Sequence, residues 1–376
     1  MDTITHGIAG ALLAKSFVPE REGRLAARAL TLGAILPDTD FFADFVSNNP
    51  LIHAEFHRGI THSFLMLPVW ALLLGGLTSR WDDRRRWLLL SSLYGAGIAL
   101  HICLDLITSY GTMILSPWSR DRFAWDITFF VDLLLTAAVL LPQLLAWIYA
   151  AREQALHRGW IAWVSVTLAG AGVAWLAAAL QLPLPLGTVI ATSALIAMLF
   201  LAPSLGGWGF RVRRTTYCRV GVAALVVYLG LCAMAHHSAL ARVDAFSRSL
   251  GASVERRAAL PAPPSLRWWS GLVETPTGIY RISVHLFDPS PPTYRFFPNA
   301  NKNFYLEMAE SSAGVQTFLW FARFPWVTYR EENGFHIVEY TDLQFVGARR
   351  DRNFPWTFRV SLNPEGQVVS FGLLRR

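Results

Sequence analysis

The sequence predicts a mostly α-helical, polytopic membrane protein with a β-rich soluble domain at its C-terminal end. Of its 376 residues, 53% are hydrophobic and only 16% are charged, which is too apolar for an ordinary soluble enzyme of this length. Apolar stretches near the roughly 20 residues that cross a bilayer recur through the first part of the chain. Alternating, aromatic and proline-containing segments follow them, as is typical of strands and turns.

Six apolar segments approach the length of a membrane span, and two shorter ones precede them. The predicted spans are residues 64–78, 87–108, 127–150, 160–180, 186–205 and 220–235. Residues 4–17 and 25–36 are separated by a charged turn, so they are predicted to be short or half-inserted helices. We expect no cleavable signal peptide, because Asp2 stands where such a peptide would carry basic residues.

The composition changes after about residue 235. Pro261, Pro263 and Pro264 predict a linker, and alternating segments at 278–287, 335–345 and 357–362 predict strands, with a hairpin turn at 363–366. Three regions are therefore predicted: a membrane-embedded helical domain at 1–150, additional transmembrane helices at 151–238, and a β-rich domain at 239–376.

Basic residues are distributed unequally between alternate loops. One set of loops holds fourteen Lys and Arg residues, namely Lys15, Arg21, Arg24, Arg28, Arg80, Arg84, Arg85, Arg86, Arg152, Arg158, Arg211, Arg213, Arg214 and Arg219. The alternate set holds three, namely Arg58, Arg120 and Arg122. By the positive-inside rule the first set faces the cytoplasm, which places the His/Asp motifs and the C-terminal domain on the extracytoplasmic side of the inner (plasma) membrane.

The net charge of +7 does not by itself indicate a nucleic-acid partner. Most of the basic residues outside the C-terminal part lie in loops, where they report topology. Cys103, Cys218 and Cys232 lie in or beside hydrophobic segments, so the sequence offers neither a disulfide framework nor a CxxC zinc site.

Histidine and aspartate recur at spacings that bring them together. His101 and Asp105 are four residues apart and share one helix face, and Asp2 and His6 repeat that spacing in the opposite order. Either pair alone is also explained by a simple polar contact. Residues 57–63 (HRGITHS) place two further histidines just before a predicted span, with a guanidinium suited to an anionic substrate group.

Two more carboxylates follow Pro37, which helps to end a helix before Asp38 and Asp40. Imidazole nitrogens and carboxylate oxygens without thiolates suit Zn²⁺, and less often Mn²⁺ or Fe²⁺. The cluster holds too many ligands for one tetrahedral ion, so we expect two or three ions, which could support phosphoester hydrolysis. We expect Arg58 to position the phosphate and Asp40 to accept a proton from the attacking water.

These motifs together resemble a bacterial and archaeal family of inner-membrane metal-dependent hydrolases, some of them LexA-binding. They lie in order within residues 1–135: DTITHG from Asp2, LPDTD ending at Asp40, HRGITHS from His57, HICLD from His101 and TSYGT from Thr108. That family is distantly similar to zinc-dependent phospholipase C and to single-strand-specific zinc nucleases. The resemblance implies a water nucleophile activated by metal, and it implies as metal ligands His6, Asp38, Asp40, His57, His62, His101 and Asp105. Asp126 and Asp132 match further acidic positions of the family pattern.

The sequence thus predicts a membrane-bound metal-dependent hydrolase of a phosphoester, such as a phospholipid-like substrate at the outer membrane face. It predicts the bilayer and a membrane lipid or membrane-associated phosphoester as partners and no nucleic acid, and it leaves the oligomeric state open. A non-enzymatic scaffold or regulator with a structural metal is the main alternative, and a closed ligand set would favour it. An ion transporter is disfavoured, because the spans from residue 160 onward carry almost no ionisable groups. Repressor binding would need the basic loops at 80–86 and 211–219.

Overall fold

The computed structural model describes residues 1–81, 83–179, 184–346 and 356–374. The chain begins with a long helical part. Its helices are α1 Thr3–Phe17, α2 Gly23–Gly33, α3 Ala43–Val46, α4 Ile52–Phe56, α5 Leu67–Ser79, α6 Trp87–Leu106, α7 Leu133–Ile148, α8 Ala155–Ala179, α9 Leu186–Leu205 and α10 Arg214–Ser249. Short 3₁₀ segments at Leu36–Phe42 and Ile60–His62 interrupt this order.

Four helices in the described ranges are long and apolar enough to cross a membrane: Arg84–Leu106, Arg152–Ala179, Leu186–Leu205 and Arg214–Ser249. A bent pair, Ile52–His62 with Leu67–Ser79, adds a fifth if its two parts, inclined at 71°, form one broken span. The prediction of a polytopic helical membrane protein is confirmed. Leu180, which ends one predicted span, lies outside the described residues.

The predicted span at 127–150 differs from the structure, because its helix begins only at Leu133. The preceding residues are tied to the C-terminal part of the chain instead. The amide of Phe129 donates to Ser265 Oγ at 2.9 Å, and that hydroxyl donates to Asp132 at 2.6 Å. These tertiary hydrogen bonds hold residues 127–132 in an irregular conformation, which leaves α7 at 16 residues.

Helices α5 and α6 approach most closely at Gly75. A Cβ atom at this position would lie 2.6 Å from Ser91 Cα, whereas a Cβ at Gly76 would meet nothing within 4 Å. Position 75 therefore requires a glycine, since only a residue without a side chain lets the two helix backbones approach so closely.

We expect Gly75→Ala to lower the stability of the purified protein by about 1–3 kcal/mol, because the added methyl group forces α5 away from α6. Gly76→Ala is the matched control and should be neutral or slightly stabilising, since alanine is the better helix former and the added methyl group meets open space. Thermal unfolding in detergent compares the two variants. Equal melting temperatures for both would contradict the close packing at Gly75.

The C-terminal domain is built from two antiparallel sheets of four strands, in the orders β1-β2-β3-β4 and β5-β6-β7-β8. The strands are β1 Arg256–Ala262, β2 Trp268–Thr275, β3 Gly278–His285, β4 Thr293–Pro298, β5 Pro325–Glu332, β6 Phe335–Asp342, β7 Thr357–Leu362 and β8 Val368–Leu373. Helices α11 Phe304–Glu310 and α12 Ala313–Phe321 connect the sheets. The predicted strands and the hairpin turn are observed, with Asn363 N bonded to Gln367 O across that turn at 3.0 Å.

Helix α10 does not end near residue 235 as predicted but continues to Ser249. Its last turns place Ala235, Ala239 and Val243 against the first sheet, where they are buried with Trp269 and Ile282. Small side chains at four-residue spacing form this face, and burying it stabilises the extension. The prolines predicted to mark a linker lie at the β1–β2 connection instead, with Pro261 inside β1.

The chain divides into two compact units. One comprises Met1–Gly7, Leu32–Leu133 and Leu229–Arg376, and the other comprises Ile8–Thr31 and Leu134–Tyr228. All the residues singled out by the metal-ligand motifs belong to the first unit. The predicted ranges 1–150, 151–238 and 239–376 stay predictions as domains.

Candidate metal centre

Three segments meet at the C-terminal end of α6. The last turns of α6 supply His101 and Asp105, the 3₁₀ segment Ile60–His62 supplies His62, and the segment Leu36–Phe42 supplies Asp38. His62, His101 and Asp105 have no exposed surface, and Asp38 is 6% exposed. Four polar side chains of metal-binding types are therefore enclosed together.

The ligand atoms of these four residues surround one point. His62 Nε2 lies 3.0 Å from His101 Nε2, 3.6 Å from Asp38 Oδ1 and 3.2 Å from Asp105 Oδ2. His101 Nε2 lies 3.4 Å and 3.5 Å from the same two carboxylate oxygens. A tetrahedral zinc ion with bonds of about 2.0–2.1 Å has ligand atoms about 3.3–3.4 Å apart. The group Asp38, His62, His101 and Asp105 could hold a metal ion.

The hydrogen bonds behind the two rings fix where their protons lie. His101 Nδ1 is 2.8 Å from the carbonyl oxygen of Ala34, which can only accept, so Nδ1 carries the proton. His62 Nδ1 faces Thr61 Oγ1 at 3.0 Å and Asp40 Oδ2 at 3.3 Å, and the threonine hydroxyl itself donates to Asp40. Both Nε2 atoms then face each other and two carboxylates. A metal cation could occupy the position between them, and protein metal sites orient histidines in the same way.

Asp38 and His6 make further contacts around the four ligand atoms. Thr3 Oγ1 donates to Asp38 Oδ2 at 2.6 Å, which leaves Oδ1 directed to the centre. The His6 ring stacks on His101 with 3.6 Å between ring centroids, and its Nε2 lies 3.2 Å from Asp105 Oδ1. His6 Nδ1 is buried and has no hydrogen-bond partner in the described ranges, and the α-amino group of Met1 also contacts Asp105 Oδ1. The structure thus places His6 beside the four-residue group.

Asp40 lies just outside the four-residue group and accepts hydrogen bonds from its neighbours. Its Oδ1 accepts from His57 Nδ1 at 2.8 Å, and its Oδ2 accepts from the amide of Arg58 at 2.9 Å. Burial favours a higher pKa for Asp40, but hydrogen bonds from His57 and His62 outweigh it and hold the pKa below its usual range. Asp40 is therefore an ionised carboxylate that orients both histidines.

Arg58 has an unusual conformation for a residue other than glycine, with φ of +60°. Its Nη2 pairs with Asp105 Oδ1 at 2.8 Å, and its Nη1 donates to Thr108 Oγ1 at 2.8 Å. The carbonyl oxygen of Arg58 accepts from Met113 N at 2.9 Å. The guanidinium is buried, and its Nε has no hydrogen-bond partner among the described residues.

The structure brings the seven predicted ligands and Arg58 into one connected network, in which four of them share a single centre. Asp2 is not part of the centre, because it accepts from the amide of Thr5 and caps α1. Sequence reasoning did not assign Thr108 and Tyr110 to the site. The TSYGT motif could have indicated both residues, because it directly follows α6, the helix that ends beside the centre.

Asp126 and Asp132 are not members of the four-residue group. Both oxygens of Asp126 accept from Arg323 of the C-terminal domain, at 2.8 Å and 2.9 Å. Asp132 accepts from Ser265. Their partners are thus protein donors, which accounts for two acidic positions of the motif pattern without a metal.

These features define a polytopic membrane protein with a buried His/Asp cluster, suited to a metal ion, at the end of an apolar helix. Residues 1–180 match the model of a family described as YdjM inner membrane protein. The family match and the apolar helices together support a membrane protein. No curated protein and no solved structure matches the chain.

Proposed function

We propose that this protein is a membrane-bound, zinc-dependent hydrolase of phosphoesters, with a phospholipid-like molecule at the outer membrane face as its substrate class. The observation that carries the proposal is the convergence of His62, His101, Asp38 and Asp105 on one buried centre. Nitrogen and oxygen ligands without thiolate suit Zn²⁺, with Mn²⁺ or Fe²⁺ as alternatives. His6, Asp40 and His57 would hold a second or third ion, or support the first.

When bound, the ion supplies Lewis-acid activation of water and neutralises charge on a phosphoryl oxygen. The protein's own residues have separate tasks. Arg58 binds a phosphate oxygen through its unpartnered Nε–H, while Asp105 and Thr108 keep the guanidinium in place. Where His57 holds no ion, its Nε2 accepts the proton of the attacking water while its Nδ1–H stays bonded to Asp40. In this arrangement Asp40 positions His57 and is not itself the proton acceptor that the sequence predicted, because hydrogen bonds from His57 and His62 outweigh its burial and hold its pKa low.

The position of the cluster favours an amphiphilic substrate. Asp105 lies in the last turn of an apolar helix of membrane-spanning length, so the centre would lie near the membrane surface. Fourteen basic residues in one set of loops and three in the other support the extracytoplasmic side for the centre and the C-terminal domain. The motifs resemble a family of inner-membrane metal-dependent hydrolases, and the reaction class is proposed from that resemblance.

A direct experiment measures hydrolysis by the full chain in detergent. We expect the zinc-loaded protein to hydrolyse bis(4-nitrophenyl) phosphate or phosphatidylglycerol in mixed micelles. A chelator should abolish the activity and added Zn²⁺ should restore it. Arg58→Lys should raise KM more than it lowers kcat, because a lysine cannot reproduce the guanidinium contacts. Metal-loaded protein that turns over no phosphodiester would contradict the proposal.

A non-enzymatic scaffold or regulator with a structural zinc is the second candidate. The observation that favours it is the closed set of four protein atoms, because structural zinc sites are four-coordinate and catalytic ones keep a position open. The ion pair of Arg58 with Asp105 also favours a structural site, because this guanidinium is already engaged with a protein carboxylate. Stoichiometric zinc together with no hydrolysis of any phosphoester would favour this candidate.

A further inference from the structure

The C-terminal domain is attached directly to the loop that follows α6, residues 107–132. Arg323, just before β5, forms a two-point ion pair with Asp126 and also donates to the carbonyl oxygen of Ser109 at 3.2 Å. Asp126 is 6% exposed and has φ of +54°, a conformation that a non-glycine residue keeps only where neighbours fix it. The ion pair therefore helps to hold Asp126 and Ser109 of this loop in place.

Apolar packing accompanies the ion pair. The ring of Tyr110 lies 5.4 Å from that of Phe321 and 5.9 Å from that of Phe345, centroid to centroid. Leu51, from the helical part, is buried in the core of the second sheet with Phe318 and Phe358. The C-terminal domain thus packs on the segments that border the metal centre.

The same loop supports Arg58 from the other side. Cζ of Arg58 lies 5.0 Å from the centroid of the Tyr110 ring, and the His57 ring lies 5.3 Å from it. Met113 N donates to the carbonyl oxygen of Arg58 at 2.9 Å. Arg58, like Asp126, has a left-handed backbone conformation, so both ends of this chain of contacts are strained and depend on their neighbours.

We propose that Arg323 is a positioning residue for Arg58, acting through Asp126, Ser109 and Tyr110. The C-terminal domain then fixes the Tyr110 ring against the guanidinium, in addition to the direct bonds of the guanidinium to Asp105 and Thr108, and Asp126 and Asp132 act as docking residues for that domain. The coupling is argued from these contacts and does not depend on the proposed function. Only the identity of the ligand that Arg58 receives, an anion of the phosphate class, rests on the proposed function.

Hydrogen exchange of the full chain in detergent tests the coupling without any activity. In Arg323→Gln we expect faster amide exchange in peptides covering both 107–116 and 56–64, with unchanged metal content. Asp126→Asn should give the same pattern, because it removes the pair from the other side. Arg330→Gln is the matched control, since Arg330 is an exposed arginine of the same domain that pairs with Glu332 and Glu339. Faster exchange confined to 107–132 would overturn the proposal, because it would describe a structural tether only.

Binding of inorganic phosphate to the metal-loaded protein tests what the positioning does. We expect Arg323→Gln to weaken phosphate binding by about tenfold, because the Arg58 guanidinium is then less well aligned with the phosphate. The exchanged pair Arg323→Asp with Asp126→Arg should restore part of it. Unchanged affinity in Arg323→Gln would contradict the role. If the unaltered protein binds no phosphate, the proposed function fails, and the exchange experiment alone decides the coupling.

Discussion

His62→Ala should remove nearly all bound metal from the purified protein. His62 has no exposed surface, and its Nε2 contacts the ligand atoms of Asp38, His101 and Asp105. Loss of an outer partner of a metal ligand already weakens binding by about 10–100-fold, so loss of the ligand itself should have a larger effect. Elemental analysis after gel filtration in metal-free buffer gives the metal-to-protein ratio.

His237→Ala is the matched control, because His237 is exposed on α10 and is not part of the metal-type group found among the described residues. It should keep the metal content of the unaltered protein. Equal metal content in the two variants would mean that any bound ion lies elsewhere, and the proposed centre would be wrong.

Asp105→Ala should cause the largest loss of stability of any single substitution at the site. Asp105 is fully buried and faces Arg58, His6 and His62. Its removal leaves the Arg58 guanidinium buried without a carboxylate, and breaking a buried ion pair from one side costs about 3–5 kcal/mol. Thermal unfolding of chelator-treated protein measures the effect without a contribution from lost metal.

The double variant Asp105→Ala with Arg58→Met separates charge from packing. It should regain much of the lost stability, because a methionine fills similar space without an unpaired charge. If the single variant melts within about a degree of the unaltered protein, Asp105 does not neutralise Arg58, and the electrostatic description of the site is contradicted.

The helical part of the fold could be predicted because its signal is local. Apolar segments of span length give α6, α8, α9 and α10 directly from composition. The start of α7 and the end of α10 could not be predicted, because tertiary contacts decide them. Ser265 holds the residues before Leu133, and the first sheet buries the last turns of α10.

Some features of the site could likewise be predicted from local sequence, and others depend on tertiary packing. The pairing of His101 with Asp105 follows from helical spacing, the local patterns around His62 and Asp38 made both of them candidates, and the family resemblance implied that all four are ligands. Which four of the seven ligands share one centre depends on how the 3₁₀ segments pack, and no sequence pattern encodes that packing. The contact of Arg323 with Asp126 joins residues 197 positions apart. Both residues lie in irregular segments, so no sequence periodicity could have predicted the contact.

One metal ion is proposed to lie among His62, His101, Asp38 and Asp105. The decisive experiment is a crystal structure of the zinc-loaded protein, with diffraction data collected on both sides of the zinc absorption edge. We expect an anomalous peak within about 2.0–2.2 Å of both Nε2 atoms and of one oxygen from each carboxylate. No peak at that position, with the two imidazoles turned apart in a zinc-loaded crystal, would contradict it.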